Sequence, residues 1–180
     1  MIILVGASAS GKTEVAKLLA SRYGIVKAIT TTTRKMRVGE RDGVDYFFIS
    51  KEEFLKRKGE DNFVETTEYN SNYYGCSKSQ IADDKAVIVD PNGLKSFLAL
   101  NNPSVVTFYL YASDETRAER MKKRGDLEEN IISRLNGDKI EFAKEKIAPT
   151  DYMIATDDKT LDEVCKIAQS EIKIYLDERE

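Results

Sequence analysis

Along the chain, short unbroken apolar runs alternate with longer segments in which apolar positions recur every three to four residues. Met1–Val5 is apolar throughout, the pattern of a strand buried on both faces. Lys12–Arg22 carries helical periodicity and is closed by Gly24. Val26–Thr31 reads as a second strand. Tyr46–Ile49, Phe63–Thr67 and Asn72–Gly75 predict short strands, with a helix over Lys51–Lys58 between the first two. Ala86–Asp90 predicts an apolar strand ending in a carboxylate, Gly93–Leu100 a helix and Val105–Tyr111 a buried strand. Asp114 is suited to N-cap a helix running to Arg124 and stopped by Gly125. A longer helix over Leu127–Ile147, a last strand over Tyr152–Ala155 and a closing helix over Leu161–Leu176 complete the expectation.

Apolar strands followed by helices predict an α/β fold, a parallel sheet core with helices on both faces. Residues 32–80 break that rhythm with short strands rich in Tyr, Asn and Thr. They predict a small mixed-strand subdomain standing over the strand ends, where ligands of open α/β sheets bind. At 180 residues the whole is expected to be one domain.

Composition narrows the chemistry. Apolar residues make up 41% and charged residues 33%, as in a soluble globular protein. The net charge of −3 argues against a nucleic-acid polymer as partner. The longest clear apolar run, MIILV, is far too short to span a membrane, and no charged segment precedes it as in a secretory signal. A cytoplasmic location is expected, with a monomer or homodimer as the assembly. Cys76 and Cys165, the two cysteines, form no paired motif. The chain has no histidine, which excludes Ser-His-Asp and Cys-His catalysis and every His-ligated metal.

Gly6-Ala7-Ser8-Ala9-Ser10-Gly11-Lys12-Thr13 fits G-x-x-x-x-G-K-[ST], between a predicted strand and a predicted helix. Small residues let backbone N–H groups approach phosphate oxygens closely, and the helix start offers its positive dipole end to the same anion. Lys12 supplies a cation to the β- and γ-phosphates, and the Thr13 hydroxyl can ligate Mg²⁺. The loop is therefore expected to hold a nucleoside triphosphate.

Downstream, Thr30–Arg37 combines four threonines with Arg34 and Arg37, a pair that can fork onto a phosphate and, read alone, also fits a solvated surface loop. The segments TTTTRKMRVGERDGVDY, FVE and NYYG, continued by VDPNG, RMKKRG and IISRL, resemble the guanylate kinase family over nearly the whole chain. The resemblance implies transfer of a phosphoryl group from ATP to GMP or dGMP, with Mg²⁺. It places the GMP phosphate on Arg34, Arg37, Tyr46 and Tyr74, and guanine on Thr30, Glu65, Cys76 and Asp90. Guanine offers N1–H and an amino group as donors, which acceptor-only carboxylates at Glu65 and Asp90 suit. Read alone, Glu65 also fits a surface charge, and Asp90, closing an apolar strand, also fits a group that orients hydrated Mg²⁺.

The resemblance further implies a helical lid over about residues 116–148, whose Arg120, Arg124 and Arg134 close on the moving phosphoryl group. Arg117, on the same predicted helix, reads as surface. Thr156 stands where the family writes an asparagine beside adenine. The implied division is a core of 1–31, 81–115 and 149–180, an acceptor region of 32–80 and the lid. Cys76 stands where the family has serine, and Ile88 where it has the first carboxylate of a D-x-D pair. Those two departures keep open a sister kinase with another phosphorylated acceptor, such as a ribose bisphosphate. A non-catalytic binding module is the other alternative. A phosphate dianion needs no histidine to act as nucleophile, so the missing histidines are no obstacle to this chemistry.

Overall fold

The computed structural model describes every residue except 70, 158, 161, 165, 168, 169, 172, 173 and 175–180. Its elements in chain order are β1 (Ile2–Val5), α1 (Lys12–Tyr23), β2 (Val26–Lys27), β3 (Thr31–Thr32), β4 (Phe47–Phe48), α2 (Lys51–Gly59), β5 (Phe63–Tyr69), β6 (Asn72–Ser77), β7 (Lys85–Val89), α3 (Pro91–Leu98), β8 (Val106–Tyr111), α4 (Asp114–Lys123), α5 (Glu128–Glu141) and β9 (Tyr152–Ala155).

Five strands form one sheet in the order β2-β7-β1-β8-β9, parallel throughout. The unbroken apolar run of β1 follows from its central place. Ile2 and Leu4 pack on one face with Val15 and Leu19 of α1. Ile3 and Val5 pack on the other with Leu94 and Phe97 of α3. Among the described residues no helix is long and apolar enough to cross a membrane.

A second sheet has the order β4-β3-β6-β5, with β3–β4 parallel and the other pairs antiparallel. Phe54 of α2, fully buried, stacks on Phe63 at 4.5 Å and on Tyr73 at 5.4 Å, and fastens this sheet to its helix. Such burial stabilises by about 2–3 kcal/mol. Cys76 of β6 joins the core cluster under the first sheet, so the two sheets share one apolar interior.

Three local expectations change. Val26–Thr31 is two strands in two sheets, not one. Val26–Lys27 pairs with β7, the Ile29 N–H turns to Gln80 Oε1 at 3.0 Å, and Thr31–Thr32 pairs with β4 and β6. The N-cap of α4 is Ser113, whose hydroxyl accepts from the Thr116 N–H at 3.2 Å. Asp114 in the first turn instead pairs with Arg117 and Lys139. The helix expected over Leu127–Ile147 ends at Glu141, because Phe142 and Ile147 turn in to pack on the apolar cluster under the sheet. A short 3₁₀ turn at Lys144–Lys146 joins them. The closing helix expected over Leu161–Leu176 lies partly outside the described residues.

Candidate functional site

The loop Gly6–Gly11 leaves the carboxyl end of the central strand β1 and enters α1. Gly6 has φ 153°, and a Cβ there would stand 2.1 Å from the Leu110 carbonyl oxygen. Only glycine fits so close to the neighbouring strand. Ala9, at φ 60°, and Gly11, at φ 101°, add left-handed turns that wrap the loop. The Lys12 ammonium donates to the Gly6 carbonyl and, at 2.8 Å, to that of Ala7. Burial pulls its pKa down to about 8; Asp138 and Glu141 act to raise it, and Arg117 to lower it.

Beside the loop lies a cavity of about 330 Å³, lined by Gly11, Lys12, Thr13, Arg120, Arg124 and Lys159 among others. Arg120 crosses it from α4 and donates to the Ala9 carbonyl at 3.1 Å and to the Thr156 hydroxyl at 3.0 Å. Thr156 also lines the cavity, but its side chain is fully buried and lies 3.2 Å from the Ser10 and Tyr111 carbonyls. Its hydroxyl is therefore engaged in closing the loop against β8. Arg124 is paired with Asp126, which holds its guanidinium charged. Arg134 is exposed on α5.

Arg34, Tyr46 and Tyr74 come together over the second sheet. The Tyr46 and Tyr74 rings lie 6.2 Å apart, and the Arg34 guanidinium sits 5.5 Å from the Tyr46 centroid. Glu40 holds this group in shape. One carboxylate oxygen accepts from Arg34 at 2.7 Å and the other from the Arg37 backbone N–H at 2.8 Å. The Arg37 side chain is exposed and Thr30 half-buried. The neighbouring Thr32 and Thr33 hydroxyls tie this strand to Tyr73.

Glu65 and Cys76 face each other across β5 and β6, and the Cys76 N–H donates to Glu65 Oε1 at 2.9 Å. Burial pushes the Glu65 carboxyl up to about 7; Cys76 N–H opposes that shift and the like charge of Asp90 adds to it. Burial likewise pushes the Cys76 thiol to about 12. Asp90 N-caps α3, one oxygen accepting from Gly93 N–H at 2.7 Å. Its charge also helps raise the pKa of Glu141, whose own field reaches Lys12. Glu65, Asp90, Glu141 and Lys12 thus form one electrostatically connected series from the acceptor sheet to the loop.

Two groups at the loop escaped the sequence reading. Arg117 is buried, not a surface residue, and donates to the Ser8 carbonyl at 2.8 Å. Asp138 of α5 is also buried and accepts from the Ser8 N–H at 2.9 Å. No local pattern marks Asp138, since Arg134 and Glu141, which share its helical face, are exposed.

The family model for guanylate kinase matches residues 1–175. A guanylate kinase of Anaplasma phagocytophilum (strain HZ) is 31% identical over 183 residues, 95% of this chain and 86% of the relative. One of Symbiobacterium thermophilum is 33% identical over 165 residues, 88% of this chain and 78% of the relative. Among solved structures, guanylate kinase from Anaplasma phagocytophilum superimposes with a TM-score of 0.69 at 24% identity, covering 97% of this chain and 85% of that one. A likeness at that identity speaks for the fold.

Proposed function

The chain belongs to the guanylate kinase family, and we propose that it transfers the γ-phosphoryl of ATP to GMP, and also to dGMP. The observation that carries this reading is the coexistence of two sites in one fold. A phosphate loop stands at the head of the parallel sheet, and an arginine–tyrosine cluster with a buried carboxylate stands on the second sheet.

Each group has a part in that reaction. The loop amides and Lys12 take the triphosphate, and Arg120 and Arg124 reach the cavity beside them. Arg134 closes from α5. Arg34, Arg37, Tyr46 and Tyr74 hold the acceptor phosphate in line, and Thr30, Glu65, Cys76 and Asp90 read the base. Residues 32–80 act as the acceptor region and about 116–148 as the lid, on a core of 1–31, 81–115 and 149–180. Among the described residues no three Asp, Glu or Cys side chains gather as a metal cage. A Mg²⁺ ion that keeps most of its ligands as phosphate and water would be held by the Thr13 hydroxyl and Asp90, and would neutralise phosphate charge.

Coupled ADP release across GMP, dGMP, AMP, UMP, CMP, IMP and a ribose bisphosphate tests this. Turnover is expected with GMP and dGMP; turnover with the ribose bisphosphate alone would move the chain to the sister reaction. The Glu65 carboxyl must be ionised to accept from guanine, so KM for GMP should rise as pH falls below about 7. Glu65→Gln removes that dependence and leaves only the titration of the GMP phosphate itself. Fold stability runs the other way. Between 4.5 and about 7 the folded chain keeps a proton that the unfolded chain has released, so stability falls as pH rises through that window.

Cys76 is fully buried, and a thiol is a weak hydrogen-bond partner. Cys76→Ser is expected to hold or lower KM for GMP in the same assay. A large rise would mean that this position does not face the base.

A further inference from the structure

Arg117 and Asp138 stand 21 residues apart on different helices, and they are 5% and 8% exposed. Their guanidinium and carboxylate bond directly. Each also reaches the same residue of the phosphate loop. Arg117 Nε donates to the Ser8 carbonyl at 2.8 Å, and Asp138 Oδ2 accepts from the Ser8 N–H at 2.9 Å. Both backbone polar groups of Ser8 are thereby taken up by one ion pair. The pair is braced on both sides. Arg117 Nη1 lies 3.2 Å from Asp114, and Asp114 lies 3.0 Å from Lys139, the residue after Asp138.

Stability alone does not account for this arrangement. A buried ion pair gains little net free energy, because desolvation offsets the attraction, and apolar side chains of similar volume often serve as well. Apolar side chains have no donor or acceptor for a loop backbone. The next loop residue, Ala9, sits at φ 60°, a conformation that an L side chain resists, and Arg120 secures its carbonyl. The turn at Ser8–Ala9 is thus held from outside, by residues of α4 and α5.

We propose that Arg117 and Asp138 are positioning residues for phosphoryl transfer: together they fix the phosphate loop at Ser8 and tie it to the helices that carry Arg120 and Arg134. The inference rests on the kinase reading above. Asp138 has a second effect in the same direction, since its charge favours the ammonium form of Lys12.

The test compares the full-length parent with Asp138→Ala, Arg117→Leu/Asp138→Ala and Arg117→Lys, reading kcat, both KM values and the thermal midpoint. Asp138→Ala leaves the buried guanidinium with only the more exposed Asp114 as counter-charge and is expected to lose thermal stability and turnover together. The double variant removes both charges, and its midpoint should return to near the parent value. Its kcat should stay at least about tenfold low with KM for GMP within about twofold, because the loop and not the acceptor pocket has lost its guide. Recovery of parental kcat together with stability would overturn the proposal and leave the pair a structural contact. Arg117→Lys decides the matter if the double variant does not fold. It keeps a charge for Asp138 but loses the fork that also reaches Ser8, so a stable protein with reduced kcat is expected and parental kcat overturns the proposal. A parent that releases no ADP with GMP would instead refute the kinase reading.

Discussion

Lys12→Ala is expected to lower kcat by about 10³-fold, the scale set by removing one preorganised charge from a transferring group. The lysine emerges at the first turn of α1, and its ammonium is bound by the loop's own Gly6 and Ala7 carbonyls. Held there, it is desolvated enough for its pKa to fall to about 8. A cation in such surroundings interacts with phosphate far more strongly than one in bulk water. The same burial limits the damage to the fold. Truncation removes a poorly solvated charge along with its hydrogen bonds, so the thermal midpoint should move only a few degrees. A second signature accompanies the first. In the free enzyme kcat/KM for ATP should decline above pH 8 as the amine loses its proton, with burial setting the midpoint and the charges of Asp138, Arg117 and Glu141 adjusting it. Retention of parental turnover by a folded Lys12→Ala protein would remove the lysine from the mechanism.

What could be seen beforehand was whatever is contiguous along the chain. The phosphate loop is one eight-residue word, and β1 is apolar at every position because both its faces are covered. Cys76 and Glu65 could be named from short motifs, and their backbone contact then follows from antiparallel pairing of β5 with β6. Missing was whatever depends on residues distant in sequence meeting in space. Arg117 looked like one member of an exposed stripe because its neighbours on the helix are charged; the partner that permits its burial lies on α5. Thr156 lines the cavity beside the loop, and what its position alone did not reveal is that its hydroxyl also closes the loop against β8. The break in Val26–Thr31 is invisible to hydrophobic periodicity, since both halves are strands and only their partners differ.

Arg34→Ala is expected to lower kcat/KM for GMP by about 10²-fold or more while leaving KM for ATP within about twofold, the scale of a lost positioning contact. The guanidinium lies against both Tyr46 and Phe48, at 5.5 Å and 5.7 Å from their centroids, and Glu40 orients it through a 2.7 Å hydrogen bond. It is therefore aimed before any ligand arrives, and little ordering entropy remains to be lost on binding. Glu40 would not collapse without it, because its other oxygen still accepts from the Arg37 N–H. The loop should keep its course, and the loss should fall on the acceptor phosphate alone. Arg34→Lys separates charge from geometry. An ammonium restores the charge but not the planar fork, so only part of the activity should return. Guanosine, which has no phosphate to lose, should bind parent and Arg34→Ala equally; a matching loss of guanosine affinity would mean that the substitution had damaged the base pocket. Unchanged GMP-dependent ADP release in the folded alanine variant would place the acceptor phosphate elsewhere on the molecule.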